Sequence, residues 1–172
     1  MTLLTIENLR LDIADFEKPT HVRDIATRTV VSKVAANATW IDIGFTESSG
    51  GKRGRKLLRC PIESLKLVGV DPANVEDVIL THMHYDHAGN LALFPNARFH
   101  LQDAEMAYCT GRAMTHPHLA APFDAEDVVT MVRRIYAGRV VFHAGEVSLT
   151  AGISLHPMPG HTPGLQAVRV ST

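Results

Sequence analysis

Apolar positions recur with two different periods along the chain, and together they predict an order of elements. Val30, Val31 and Val34 mark a strand over 29–36. Trp40-Ile-Asp-Ile-Gly-Phe45 alternates with β-branched residues and predicts a second strand that stops near Gly44. Pro61 at a first helical position, then Ile62, Leu65 and Val68, with Gly69 just past the end, predicts a short helix. Asp71-Pro72 turns into a strand over 75–81, followed by a short helix over 87–94 that closes before Pro95. Residues 97–101 alternate as the next strand, and Asp103 reads as the N-cap of a helix through Met106 and Tyr108 to Gly111. Residues 110–123, with Pro117 and Pro122, read as a long loop. Asp124 caps an amphipathic helix with Val128, Met131, Val132, Ile135 and Tyr136 on one stripe, ended by Gly138. Short strands over 140–143, 146–149 and 153–156 suggest an antiparallel meander, and 165–170 a final strand after the loop 157–164. Strands in two batches with helices between fit a layered α/β arrangement. Residues 1–28 show no sustained period, because acids and Pro19 interrupt Leu3, Leu4, Ile6 and Leu9.

Composition narrows the class. The chain has 172 residues, 45% of them apolar and 20% charged, with a formal net charge of −1. That is one domain's worth of ordinary globular sequence, without the basic excess that nucleic acid attracts. No run reaches the ~18 apolar residues of a membrane span. The N-terminus lacks the basic start and apolar core of a secretory signal. Cys60 and Cys109 are widely spaced and read as reduced thiols, so a cytoplasmic location is expected. Lys52, Arg53, Arg55, Lys56 and Arg59 follow a Ser-Ser-Gly-Gly loop; a solvated face is the favoured reading of this run, ahead of an anion-binding patch.

The chemistry concentrates in Thr81-His-Met-His-Tyr-Asp-His87. A pair of histidines is more often structural than ligating, but here His82, His84, Asp86 and His87 fall within six residues, where packing does not require them. Side chains two apart on a strand share a side, so His82 and His84 can face one ion. Asp86 and His87, past the strand end, can swing toward a second. Imidazole suits zinc and iron, with carboxylate a common companion. His161 adds a further candidate from the Pro/Gly-rich loop 157–164.

These pieces resemble the metallo-β-lactamase superfamily: His82-x-His84-x-Asp86-His87, Gly160-His161-Thr162, and the strand end Ile41-Asp42-Ile43-Gly44, where Ile43 stands in place of the usual Thr. The resemblance implies an αββα sandwich with a two-zinc site at one edge. It implies that His82, His84 and His161 hold one ion, that Asp86 and His87 contribute to the second, and that Asp42 is a hydrogen-bonding neighbour. The run 81–90, Phe94-Pro-Asn-Ala97 and Gln102-x-x-Glu105 are most similar to N-acyl homoserine lactone lactonases. That likeness implies a hydrolase that opens a lactone ring by metal-hydroxide attack, with Asp86 as the catalytic carboxylate orienting the hydroxide. Hydrolysis of a thioester or ester in the manner of glyoxalase II, and a metal-binding domain without turnover, are the alternatives.

The family's bridging aspartate and last histidine have no counterpart before Thr172. Residues 1–172 are therefore expected to be a single, C-terminally truncated domain with a half-built second site, weak activity, and exposed apolar surface that favours a homodimer. The expected partner is a small lactone or ester, with neither nucleic acid nor membrane expected. Of the remaining candidates, Tyr85 is expected to point away from the ions and His100 to be exposed. His116 and His118 read as loop residues near the site mouth. Phe45, Met114, Leu119 and Phe123 could line an acyl pocket or simply be buried. Cys109 has no base beside it to make it a nucleophile.

Overall fold

A computed structural model describes residues 30–34, 37–67 and 69–171. The lead-in over 1–28 lies outside them. Strands β1 (Val30–Val34) and β2 (Asn37–Ile41) pair antiparallel; β3 (Val75–Ile79), β4 (Arg98–Gln102) and β5 (Val140–His143) then add in parallel. Among the described residues this gives a five-stranded sheet in the order β1-β2-β3-β4-β5. Strands β6 (Val147–Thr150), β7 (Ile153–Pro157) and β8 (Gln166–Val170) form a separate antiparallel sheet. The meander therefore starts one strand later than its sequence suggests: 140–143 joins the first sheet because Phe99 to Gln102 pair with Val140 to His143.

Register sorts the side chains of the first sheet. Val78 lies level with Trp40 and Phe99, and all three are buried among Leu65, Leu80, Phe94, Leu101 and Met131, on the face covered by helices. Ile79, one residue on, lies level with Ile41 and faces Ile153 and Leu155 of the second sheet. Opposite faces of one strand serve two cores, as a period of two requires. This is the layered α/β architecture expected. His100 shares the face of Ile79 and is buried, not exposed: its Nε2 is 2.9 Å from Asp77 Oδ1 and its Nδ1 is 3.0 Å from His143 Nε2.

Several loops carry more helix than their patterns indicate. Helix α1 (Glu47–Gly51) forms where Ser and Gly suggested a loop, because the Thr46 hydroxyl caps the Ser49 amide. Helix α2 (Pro61–Leu67) starts on its proline and buries Leu65 fully. The helix expected over 87–94 is instead α3 (Tyr85–Ala88) and a 3₁₀ turn, Leu91–Leu93, on either side of Gly89-Asn90. Helix α4 (Asp103–Cys109) is capped by Gln102, one residue before the expected Asp103. Between 110 and 123 lie a 3₁₀ turn, Arg112–Thr115, and α5 (Pro117–Ala120). Helix α6 (Ala125–Tyr136) keeps Asp124 as N-cap and buries Met131, but Tyr136 is 90% exposed. No helix among the described residues is long and apolar enough to cross a membrane.

Candidate metal centre

Strand β3 ends at Ile79, earlier than expected, so His82 and His84 lie on the connector beyond it. Asp42 explains the ending. Its backbone sits at φ +52°, a left-handed conformation that Asp tolerates better than most residues, so β2 turns away from β3 at that point. Its carboxylate then takes over the partner's role, accepting the Thr81 amide at 2.8 Å. His84, extended at φ −63° and ψ 150°, precedes the first turn of α3 and hands the chain from connector to helix. Tyr85 therefore lies in a helix, so strand alternation does not set its direction.

The ligand turn is held from three sides. Ile43 donates its amide to the His87 carbonyl, and Gly89 donates to the Gly44 carbonyl at 2.8 Å. Gly89 has no room for a side chain: a Cβ there would stand 2.7 Å from the Phe45 Cα and 2.8 Å from the Tyr85 carbonyl oxygen. Asn90 donates its side-chain amide to the carbonyls of Ile43 and Phe45. From the second sheet, Gln166 at the start of β8 donates its backbone amide to Thr81 O and its side chain to Leu80 O.

His82, His84 and His161 meet at the top of this turn. Ring nitrogens of the three lie within 4.8 Å of one another, and the group could hold a metal ion. His82 and His84 are buried while His161 is exposed, so the cluster has a solvent side. Burial, with the neighbouring imidazoles adding to it, pulls His82 down to about 2. Burial and His161 pull His84 down to about 4, against the opposing charge of Asp86. Both rings are consequently neutral at ordinary pH, the state in which imidazole ligates.

The hydrogen bonds assign the protons. The Thr81 hydroxyl has one proton, directed at the Asp42 carboxylate (2.9 Å to Oδ2), so it accepts from His82 Nδ1–H at 3.0 Å. His82 Nε2 is then a bare lone pair, buried and without a hydrogen-bond partner. A buried acceptor in that condition costs about 1–3 kcal/mol, and an ion would satisfy it. The donor set thus fits a metal.

Asp86 and His87 are not part of the three-ligand group, although the His87 ring centroid lies 4.1 Å from that of His82. His87 Nδ1 is 2.8 Å from Asp42 Oδ2, which turns its Nε2 toward Asp86 Oδ2 at 3.7 Å. Burial lowers the His87 pKa, but the Asp42 bond and charge, with Asp86, outweigh it and leave it raised. Among the described residues these two belong to no group of three or more ligand atoms.

Two positions owe their importance to contacts that the sequence does not reveal. Glu105, fully buried at the start of α4, accepts the Met83 amide at 2.9 Å, the Thr162 hydroxyl at 2.5 Å and the Gly164 amide at 3.2 Å. Met83 separates the first two histidines and Thr162 follows the third, so one carboxylate fixes the two ligand-bearing segments to each other. In the sequence Glu105 enters only through the Gln102-x-x-Glu105 likeness and as a favourable charge in a first helical turn, neither of which reveals its contacts to the ligand segments. The other is Arg53, which the basic run hides. Its guanidinium stands 4.1 Å from the Tyr85 ring centroid.

The remaining candidates separate clearly. Phe123 packs edge-on against His84 at 4.6 Å, and Phe45 against Tyr85 at 5.9 Å. Met114 packs against the core and Leu119 is exposed. His116 and His118 are exposed on the α5 segment. Cys109 is buried and pushed up to about 12 by burial and Glu105, which leaves it a thiol.

Known proteins resemble this chain in sequence and in fold. An N-acyl homoserine lactonase of Bacillus sp is 28% identical over 111 residues, covering 64% of this chain and 39% of the relative. N-acyl homoserine lactonase AttM of Azorhizobium caulinodans is 29% identical over 111 residues, covering 63% and 41%. A solved N-acyl homoserine lactone hydrolase, with the product N-hexanoyl-L-homoserine at its catalytic metal center, superposes with a TM-score of 0.68. It is 21% identical and matches 84% of this chain and 58% of its own. A probable metal-dependent hydrolase from Staphylococcus aureus gives a TM-score of 0.68 at 20% identity, covering 83% and 52%. The chain thus spans about half the length of the solved structures it matches. The metallo-beta-lactamase superfamily model matches residues 41–172, from the end of β2 through all three clustered histidines, and the chain belongs to that superfamily.

Proposed function

We propose that the protein is a metal-dependent hydrolase that opens the ring of N-acyl homoserine lactones, with zinc as its metal. The buried, partnerless His82 Nε2 beside His84 and His161 carries this reading, and the likeness to lactonases from two genera supports the substrate class. His82, His84 and His161 would hold the first ion, with Asp86 and His87 offering ligands to a second. Bound there, zinc supplies a Lewis acid and brings the pKa of water from 15.7 to about 7.

The chain's own residues do the rest. Burial keeps His82 and His84 unprotonated, so their lone pairs stay available. Thr81 and Asp42 hold the His82 and His87 rings by their Nδ1 atoms, the outer support that ligating histidines need. Asp86, part-exposed in the first turn of α3, would be the catalytic carboxylate, accepting a hydrogen bond from the attacking water and so orienting it toward the lactone carbonyl. Phe123 covers one face of His84 and keeps bulk water from it.

Zinc-loaded protein should bind metal tightly and release one proton per lactone opened, and His161→Ala should lose both. Absence of bound metal at saturating zinc would sink the proposal outright. Turnover of glutathione thioesters but not lactones would move the chemistry to the glyoxalase II type. Metal binding without any turnover would leave a binding domain.

A further inference from the structure

The guanidinium of Arg53, just past α1, ties back to that helix and reaches two other segments, 121–124 and Tyr85. Nη1 donates to Ser49 O at 3.1 Å and to Ser49 Oγ at 2.9 Å, and stands 3.5 Å from Asp124 Oδ2. Nη2 donates to Ala121 O at 3.2 Å and Phe123 O at 2.8 Å. The planar group also lies over the Tyr85 ring. A flat fork with several donors suits this combination, and a lysine ammonium does not.

Tyr85 lies between the ligand-type residues His84 and Asp86, and its amide donates to Pro122 O at 2.9 Å. Phe123, one residue on, is the ring set edge-on to His84. Arg53 and Phe123 both line an open cleft of about 480 Å³. The Phe123 ring packs against His84 and Tyr108, and Arg53 adds a hold on its backbone by binding the carbonyls of residues 121 and 123.

We propose that Arg53 is a positioning residue: by clamping 121–123 onto Tyr85 it sets the Phe123 wall beside His84 and so governs which acyl chains the site accepts. The specificity part rests on the lactone reading above; the clamp does not.

The test uses the zinc-loaded full chain with Arg53→Met and Arg53→Lys. Amide exchange at Tyr85 and Phe123 is expected to accelerate by about tenfold or more in Arg53→Met and less in Arg53→Lys, while zinc affinity stays within roughly threefold of the parent, since Arg53 touches no candidate ligand. The ratio of KM for long- and short-chain N-acyl homoserine lactones is expected to shift by roughly fivefold or more, with kcat within about twofold. Unchanged exchange in Arg53→Met would overturn the clamp. An equal loss for every chain length would reduce Arg53 to a structural role and overturn the specificity claim. If Arg53→Met does not fold, Arg53→Lys decides by the same two readouts. If the parent turns over no lactone, the lactone reading fails and exchange alone decides whether Arg53 holds the wall.

Discussion

Glu105 accepts the hydroxyl proton of Thr162 across 57 positions of chain, at 2.5 Å and with no solvent contact. The same carboxylate binds the amide between His82 and His84. The approach of the third histidine to the other two therefore depends on one acid that ligates nothing.

Glu105→Gln keeps the volume but replaces one acceptor oxygen with an NH₂ group, a donor only, so the side chain loses its acceptor toward one of the two segments. Loss of buried hydrogen bonds of this kind costs about 1–3 kcal/mol, and disturbed outer support typically lowers metal affinity by roughly 10–100-fold. Zinc competition titration and thermal melts should show both effects. Parent-like affinity with a lowered melting temperature would mean that Glu105 braces the fold without placing His161.

Gly164→Ala attacks the same junction sterically. A Cβ at 164 would stand 2.1 Å from the Glu105 amide nitrogen and 2.4 Å from its Cα, backbone atoms that cannot rotate aside. Overpacking of this kind costs roughly 1–3 kcal/mol or more. The loop carrying His161 should be displaced and metal binding should fall with stability. Gly51→Ala, where nothing lies within 4 Å, provides the control and should melt close to the parent.

Asp42→Ala removes a left-handed aspartate and the acceptor for the Thr81 amide, the Thr81 hydroxyl and His87 Nδ1. Strain at such a φ costs about 1–3 kcal/mol for a residue without compensation. A larger loss of stability is expected for Asp42→Ala than for Asp42→Gly, which relieves the backbone but not the hydrogen bonds. Equal chemical-denaturation midpoints for the two variants would exclude a backbone contribution.

Asp127 in the first turn of α6 gives a pH signature away from the metal centre. Burial, then the Asp124 carboxylate, push it up to about 7, and its Oδ2 has no hydrogen-bond partner. The folded state prefers the protonated acid, so no penalty exists below the unfolded value near 3.8, and the penalty grows as pH rises from there to about 7. Asp127→Asn should therefore leave stability unchanged near pH 4 and raise it at pH 7 and above. Because the group is partly exposed, the gain is on the order of 1–2 kcal/mol. Denaturation midpoints at the two pH values check it, and a gain of equal size at both would contradict it.

The site was legible in the sequence wherever ligands sit close along the chain. His82, His84, Asp86 and His87 need only a strand end and one helical turn to gather, and local spacing reports such geometry. His161 was legible because Pro157, Pro159, Gly160, Pro163 and Gly164 mark a constrained loop. The strands came through because alternation reflects burial of one face at a time, as Trp40 and Ile41 do on opposite sides of β2. The short helices α1 and α5 did not, since four or five residues span little more than one turn and leave no apolar period to detect.

Tertiary structure alone decided three things. It brought Glu105 between the two ligand segments and Arg53 over the Tyr85 ring, contacts between residues distant in sequence that local spacing does not report. It buried His100, because Asp77 and His143 on the flanking strands supply partners that its own strand does not reveal. And it left His82 Nε2 without a partner, a property of everything packed around the atom. Local spacing names the candidate ligands by itself; burial and long-range hydrogen bonds, which depend on the whole fold, determine their protonation, their orientation and the wall beside them.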